Sequence, residues 1–257
     1  MNNRVPEPVP LPPVVAPRTS FLSAHRRRPA FLLLLVIGLI LFLTLLPGGV
    51  RASLWMAVSA QRGLVVLLFL FALVTLSLIW SSGQRLDSRV FMLLNLRDYP
   101  KWLDHIMWLA TQLGNMLAAF VAAFAFFLLN YRELAIEIVF GTLTLWLLVE
   151  TIKMLLGRDR PFLTIDEARV IGWREKGDSF PSGHTTQIFF MMTLLVNHFH
   201  PGLVVVAALY AVAVLVGFTR IYVGAHYPRD VIAGVVLGLV WGILVTLVEP
   251  FWPVLRF

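Results

Sequence analysis

Seven apolar runs, most of them long enough to cross a lipid bilayer, recur along the chain: residues 31–46, 63–80, 106–129, 134–156, 185–196, 203–217 (reaching towards Tyr222) and 229–248. Hydrocarbon offers no hydrogen-bond partner to a peptide group, so each run must satisfy its own backbone, and a series of them folds as helices. The expected fold is all-α: a polytopic transmembrane helix bundle with seven candidate spans. Of the 257 residues, 59% are hydrophobic and only 14% charged, which is not the balance of a soluble domain. The formal net charge of +7 has no soluble basic domain to hold nucleic acid, and is read as anchoring at the cytoplasmic surface and contact with acidic head groups. With no cysteine in the sequence, disulfides, thiolate nucleophiles and cysteine–metal sites are excluded.

Two parts are expected. Residues 1–30 carry Pro6, Pro8, Pro10, Pro12, Pro13 and Pro17 and read as a disordered or extended tail. Residues 31–257 read as one integral membrane domain. The 31–46 run is either a short crossing behind Arg26, Arg27 and Arg28 or a signal-peptide core, although Val58-Ser59-Ala60 lies too far on for a cleavage site. Residues 81–105 suit an amphipathic helix on the membrane surface, with Val90, Leu93, Leu94 and Leu96 as its apolar pattern. Gly234, Gly238 and Gly242, spaced by four, form a face against which another helix packs closely, in this chain or a second copy. Gln112 and Asn115 are expected to hydrogen-bond between helices, and His198 and His200 to sit solvated on the opposite membrane face.

Chemistry gathers in three clusters. In Lys153-Met154-Leu155-Leu156-Gly157-Arg158-Asp159-Arg160-Pro161, Lys153 lies inside an apolar run, where an unpaired charge is expensive; Glu150 three residues earlier is its expected partner. Arg158 is a membrane-edge anchor or an anion ligand. Arg160 before a helix-ending proline aims a planar fork of donors outwards, a geometry that suits phosphate oxygens. Pro181-Ser182-Gly183-His184 starts a helix, where backbone N–H groups favour an anion and His184 can exchange a proton. Arg220, His226 and Asp230 form the third cluster. His226 and Asp230 share a face if the last helix reaches back that far; the carboxylate then fixes the tautomer of the ring, or simply satisfies it. Because spans alternate in direction, all three clusters fall on one membrane face. Three cations, helix-terminal N–H groups and two histidines there describe phosphoryl transfer without metal or other cofactor. Arg169, Arg174 and Lys176 in the preceding loop either meet acidic head groups or keep the loop solvated.

Lys-x6-Arg-Pro at Lys153, Arg160 and Pro161, then Pro181-Ser182-Gly183-His184, then Arg-x5-His-x3-Asp at Arg220, His226 and Asp230 resembles the three-part signature of the type 2 phosphatidic acid phosphatase superfamily. That superfamily holds membrane lipid phosphate phosphatases and soluble vanadium haloperoxidases. The resemblance covers about residues 60–248 and implies a six-helix phosphatase core there, with the 31–46 run as an extra N-terminal span. The third block usually opens Ser-Arg and here opens Thr219-Arg220, keeping the hydroxyl. The resemblance implies that His226 attacks phosphorus to form a phosphohistidine, oriented by Asp230. It implies that His184 protonates the leaving alkoxide and then activates water. Lys153, Arg160 and Arg220, with the Ser182 hydroxyl and the Gly183 N–H, would bind phosphate.

The expected activity is hydrolysis of lipid phosphate monoesters or diphosphates, such as phosphatidic acid, phosphatidylglycerol phosphate or polyprenyl diphosphate. A phosphotransferase of the same fold is the alternative. The expected partners are the bilayer and its lipid phosphates, not nucleic acid, and the expected location is a bacterial inner membrane. Oligomeric state is not written in the spacing. Placing Arg26–Arg28 in the cytoplasm puts the catalytic face there too if all seven runs cross, whereas the resemblance implies an extracytoplasmic site.

Overall fold

A computed structural model describes residues 48–248 and, before them, Ile37, Leu41, Thr44 and Leu45. The proline-rich tail, nearly all of the 31–46 run and everything after 248 lie outside the described residues. The helices are α1 Gly48–Ala60, α2 Arg62–Ser77, α3 Ser81–Asn95, α4 Lys101–Thr111, α5 Met116–Leu128, α6 Arg132–Leu156, α7 Pro161–Thr164, α8 Gly183–Phe199, α9 Leu203–Tyr222 and α10 Pro228–Val248. No strand occurs among the described residues.

Among the described residues three stretches are each long and apolar enough to cross a membrane alone: residues 132–164, 203–222 and 228–247. Two helix pairs, α2 with α3 and α4 with α5, pass the same test only together and are bent. Between α2 and α3 the chain turns by 94°, because Ser81, Ser82, Gly83 and Gln84 follow the apolar run and cannot continue into lipid. An amphipathic helix is present there, but its inward face is Asp87, Ser88, Phe91, Met92 and Asn95, while Leu93 points outwards.

The 106–129 run, read as one span, is two helices bent by 60°. A single turn of 3-10 helix, Gln112–Gly114, separates them, and Asn115 caps the second by accepting from the Ala118 N–H at 2.7 Å. The amide of Asn115 donates to Gln112 Oε1, and Gln112 donates to the Trp108 carbonyl. Both residues, expected to bond between helices, instead satisfy the polar groups exposed by the break. The break also presses Gly114 against α8, where a Cβ would stand 2.7 Å from the His184 carbonyl oxygen.

α8 has 17 residues and is the helix around which α5, α6, α9 and α10 pack. Lipid tails are as apolar as leucine, so helices associate through close contact rather than a hydrophobic drive. The glycine face of α10 supplies that contact within this chain. Added Cβ atoms would stand 2.8 Å from Ser182 O at Gly234, 2.5 Å from Thr186 O at Gly238 and 2.6 Å from Thr193 Cβ at Gly242. Opposite, Leu145 and Val149 of α6 meet Phe190 and Leu194 of α8 in the central cluster. Met191 is buried there too. The polar groups of α8 are bonded: Gln187 donates to Thr142 Oγ1 at 2.9 Å and Thr186 to the Ser182 carbonyl at 2.8 Å. Large apolar side chains such as Phe69, Phe124, Leu147 and Val214 face outwards, as lipid contact requires. His198 and His200, at the far end of α8, are exposed.

Candidate active site

Three helix ends build the site. α6 stops at Gly157, whose φ of 57° is left-handed and whose N–H donates to the Lys153 carbonyl at 2.9 Å, a glycine C-cap. The chain then turns back under the bundle, burying Arg158 and Arg160 before Pro161 opens α7. α8 begins at Gly183. α9 ends with Arg220 buried in its last turn, and the Arg220 carbonyl accepts from the N–H groups of Ala225 and His226. Gly224 makes that turn possible: its φ is 85°, and a Cβ would stand 2.1 Å from the Arg169 carbonyl oxygen.

His226 precedes α10 rather than lying on it, since the helix starts at Pro228. Its Nδ1 is 3.7 Å from Asp230 Oδ2, longer than a hydrogen bond. Ser179 stands between them. Its hydroxyl donates to Asp230 Oδ2 at 2.5 Å and lies 3.3 Å from His226 Nδ1. With its proton given to the carboxylate, the Ser179 oxygen accepts from Nδ1–H. The ring's other nitrogen, Nε2, is then unprotonated and faces Arg160 Nη1 at 3.4 Å. The tautomer is thus assigned from the partners of the two nitrogens. Burial, then the charges of Arg160 and Arg220, push the His226 imidazole down to about 4, against the pull of Asp230. The ring is neutral at physiological pH.

Asp230 is itself held from several sides. It accepts from the Tyr227 N–H at 2.9 Å and pairs with Arg158. Arg158 in turn pairs with Asp87 of α3 at 2.5 Å and donates to Gln84 Oε1 at 2.8 Å. Asp87 also binds Arg229 at 2.6 Å. α3 is tied by these bonds to the carboxylate behind His226. Arg158, left open between anchor and anion ligand, is neither: it is a buried partner of Asp230.

On the other side of the His226 ring, Arg160 and Arg220 converge on one carboxylate. Glu175 Oε2 takes Arg160 Nη1 at 2.9 Å, and Glu175 Oε1 pairs with Arg220 Nη2. The same Oε2 is 3.9 Å from His226 Nε2. Burial would raise Glu175, but Arg220 first, then His226, His184 and Arg160, hold it well below the usual carboxylate range. Arg220 Nη1 donates to Thr111 Oγ1 at 2.8 Å. Arg220 Nε is the one buried side-chain nitrogen or oxygen without a partner among the described residues.

A cavity of about 360 Å³ opens beside this cluster. Lys153, Arg160, Glu175, Gly183 and His184 line its polar end, and Met116, Leu145, Trp146 and Val149 its apolar side. Lys153 Nζ binds Glu150 at 2.7 Å, as expected, and lies 4.0 Å from where a Gly183 Cβ would be. Of the residues singled out in the sequence, Lys153, Arg160, His184, Arg220, His226 and Asp230 come together. Ser182 differs from expectation: it is fully buried, its N–H donates to the Asp230 carbonyl at 3.0 Å, and its hydroxyl accepts from Thr185 Oγ1 at 2.9 Å. It joins α8 to α10 rather than offering a free N–H. Arg169 is also structural, gripping Asp104 through two 2.8 Å bonds.

Sequence reasoning missed Ser179, Glu175, Asp87 and the role of Arg158. Serine and glutamate in a polar loop look like solvation; only the flanking Gly172 and Gly177 hinted at a shaped segment. Among the described residues no group of three or more His, Asp or Glu side chains is arranged to hold a metal ion.

A family profile described as the PAP2 superfamily matches residues 134–252. Phosphatidylglycerophosphatase B of Bacillus subtilis (strain 168) is 32% identical over 196 residues, 70% of this chain and 92% of that protein. Lipid A 1-phosphatase of Rhizobium johnstonii is 35% identical over 109 residues, 40% of this chain and only 42% of that protein. The crystal structure of a transmembrane PAP2-type phosphatidylglycerolphosphate phosphatase from Bacillus subtilis superposes with a TM-score of 0.60 at 26% identity, covering 76% of this chain and 98% of that one.

Proposed function

The chain belongs to the PAP2 superfamily, and from that premise we propose that it is an integral membrane phosphatase hydrolysing phosphate monoesters or diphosphates of lipids through a phosphohistidine. The observation that carries the proposal is the placement of His226 Nε2. It is an unprotonated nitrogen beside two guanidinium groups already gripping an anion, with the opposite nitrogen held by Ser179.

In the proposed reaction the substrate phosphate sits against Arg160, Arg220, Lys153 and the Gly183 N–H. Their charge stabilises the transferring group and does the work a metal ion does in other phosphoryl transfers. His226 Nε2 attacks phosphorus, forming a P–N bond as the bond to the leaving oxygen breaks. His184, on the cavity wall, donates a proton to that oxygen. The imidazole becomes cationic, and Asp230 behind Ser179 stabilises it. His184 then takes a proton from water, whose oxygen attacks phosphorus and releases phosphate from His226. The phosphatase unit corresponds to residues 60–248. The apolar side of the cavity, facing lipid through Met116 and Trp146, suits a substrate whose tails stay in the bilayer; phosphatidic acid, phosphatidylglycerol phosphate, polyprenyl diphosphate and lipid A phosphates are the candidates. The proposed location is a bacterial inner membrane, a reading supported by the relatives from Bacillus subtilis and Rhizobium johnstonii.

The test is purified protein in detergent offered these lipids, with released phosphate measured with and without chelator. His226→Ala is expected to abolish turnover while the protein still elutes as a folded species. Substantial phosphate release by that variant would remove His226 from the reaction, and loss of wild-type activity on chelation would remove the metal-free reading.

A further inference from the structure

Glu175 lies on a short strap that lines the cavity. The strap is anchored at both ends by backbone bonds: Ile171 N–H to the Val223 carbonyl at 3.1 Å, and Ser179 N–H to the Arg158 carbonyl at 2.7 Å. Just inside the anchors stand Gly172 and Gly177, with φ of 84° and 82°, conformations in which glycine is unstrained and other residues are not. A Cβ at Gly177 would meet nothing within 4 Å, so backbone conformation rather than space accounts for the residue there. Between the glycines, Trp173 is 88% exposed, Arg174 is over the Phe162 ring at 5.9 Å, and Glu175 and Lys176 line the cavity, the Lys176 carbonyl accepting from Arg160 Nη2 at 3.5 Å.

What Glu175 reaches is the pair of guanidinium groups assigned above to phosphate. Arg160 Nη1 and Arg220 Nη2 bind its two oxygens, and His226 Nε2 is 3.9 Å away. A phosphorus atom within attacking distance of Nε2 would put its oxygens where this carboxylate is. Two anions sharing these donors repel each other, so both cannot be held well in one place. Arg220 Nε, buried and without a partner, shows that the flat carboxylate leaves a donor of this cluster unused. A tetrahedral phosphate has an oxygen to spare for it.

We propose that Glu175 is a resident anion of the phosphate site, carried on the 172–178 strap, and that a phosphate group binds only by displacing it and swinging the strap outwards. This deepens the phosphatase reading and rests on it. The glycines are the hinges. Trp173, 88% exposed, is the residue that the displaced strap would lay into the bilayer interface, where tryptophan is favoured. Glu175 therefore sets the affinity of the pocket for every anion, product included, and hastens release of inorganic phosphate by returning.

The experiment measures binding of inorganic phosphate and of orthovanadate to purified protein by isothermal titration, which needs no lipid turnover. Glu175→Gln removes the charge and keeps the shape; Glu175→Ala removes the plug. Both are expected to bind the two anions at least about tenfold more tightly, the scale of one charge-assisted hydrogen bond lost from a competitor. Unchanged or weaker binding in both variants overturns the proposal and makes Glu175 part of the productive pocket. A second readout uses the wild type alone: hydrogen exchange across residues 172–178 should accelerate on adding inorganic phosphate, and protection or no change there overturns it. Wild-type hydrolysis of lipid phosphates is assayed alongside. If the wild type hydrolyses them while Glu175 fails its test, only the strap falls; if the wild type neither hydrolyses them nor binds phosphate, the phosphatase reading falls with it.

Discussion

Replacing Ser179 with alanine isolates one link between His226 and its carboxylate. The hydroxyl makes two contacts, a 2.5 Å bond to Asp230 Oδ2 and a 3.3 Å approach to His226 Nδ1. Asp230 keeps its Tyr227 N–H and Arg158 partners in the variant, and the Ser179 backbone bond to Arg158 is untouched, so the loop should hold its path. What disappears is the acceptor for Nδ1–H, because the direct distance to Asp230 is 3.7 Å. A hydrogen bond to a group that becomes charged is worth about 1.5–3 kcal/mol. The ring becomes a cation only as phosphorus is attacked, so the loss falls on the transition state and not on binding. At about 1.4 kcal/mol per factor of ten, kcat should drop roughly 10- to 100-fold with KM nearly unchanged. The assay is phosphate release from a short-chain lipid phosphate in detergent, over a range of substrate concentrations. A kcat within twofold of wild type would refute the relay through Ser179. A raised KM with unchanged kcat would place the hydroxyl on the substrate instead.

Two further outcomes follow from the same geometry. Because burial holds His226 at about 4 in the folded protein against an ordinary value near 6.5, the unfolded chain takes up its proton first as the solution is acidified. Stability from this group is complete above about pH 6.5 and is lost as pH falls towards 4, by roughly 3 kcal/mol in all. The gap in unfolding temperature between wild type and His226→Asn should therefore shift in favour of the variant between pH 7 and pH 4; parallel curves would show that the ring is not held neutral. Separately, Gly238→Ala forces a Cβ to within 2.5 Å of the Thr186 carbonyl and 2.7 Å of Phe189 Cβ, overpacking that costs about 1–3 kcal/mol. Gly63→Ala, with nothing within 4 Å, is the control, and equal unfolding temperatures for the two variants would show that the glycine face of α10 is not close-packed against α8.

The residues most legible beforehand were those whose chemistry is improbable where they stand. Lys153 within an apolar run needed a partner, and Glu150 supplies it at 2.7 Å. Arg160, His184, Arg220, His226 and Asp230 stood in a spacing that alternating spans bring to one face. Ser179, Glu175 and Asp87 carried no such sign, since a serine or carboxylate in a polar segment is ordinary. Gln112 and Asn115 misled for the opposite reason: amides inside an apolar run usually bond between helices, but here they repair a break made where Gly114 packs on α8.

Hydropathy and motif spacing were enough to determine an all-helical membrane bundle and the face on which two histidines and three cations meet, because a peptide group in lipid has so few ways to be satisfied. Only the tertiary structure decided what stands on each side of the His226 ring. The order Asp230, Ser179, His226, Arg160, Glu175 is assembled from the loop before α8, the start of α10 and the turn after α6, segments separated by up to 70 positions between Arg160 and Asp230. Contacts of that kind depend on where helix ends are placed by glycine packing and a broken span. Side-chain periodicity along any one helix carries no record of them.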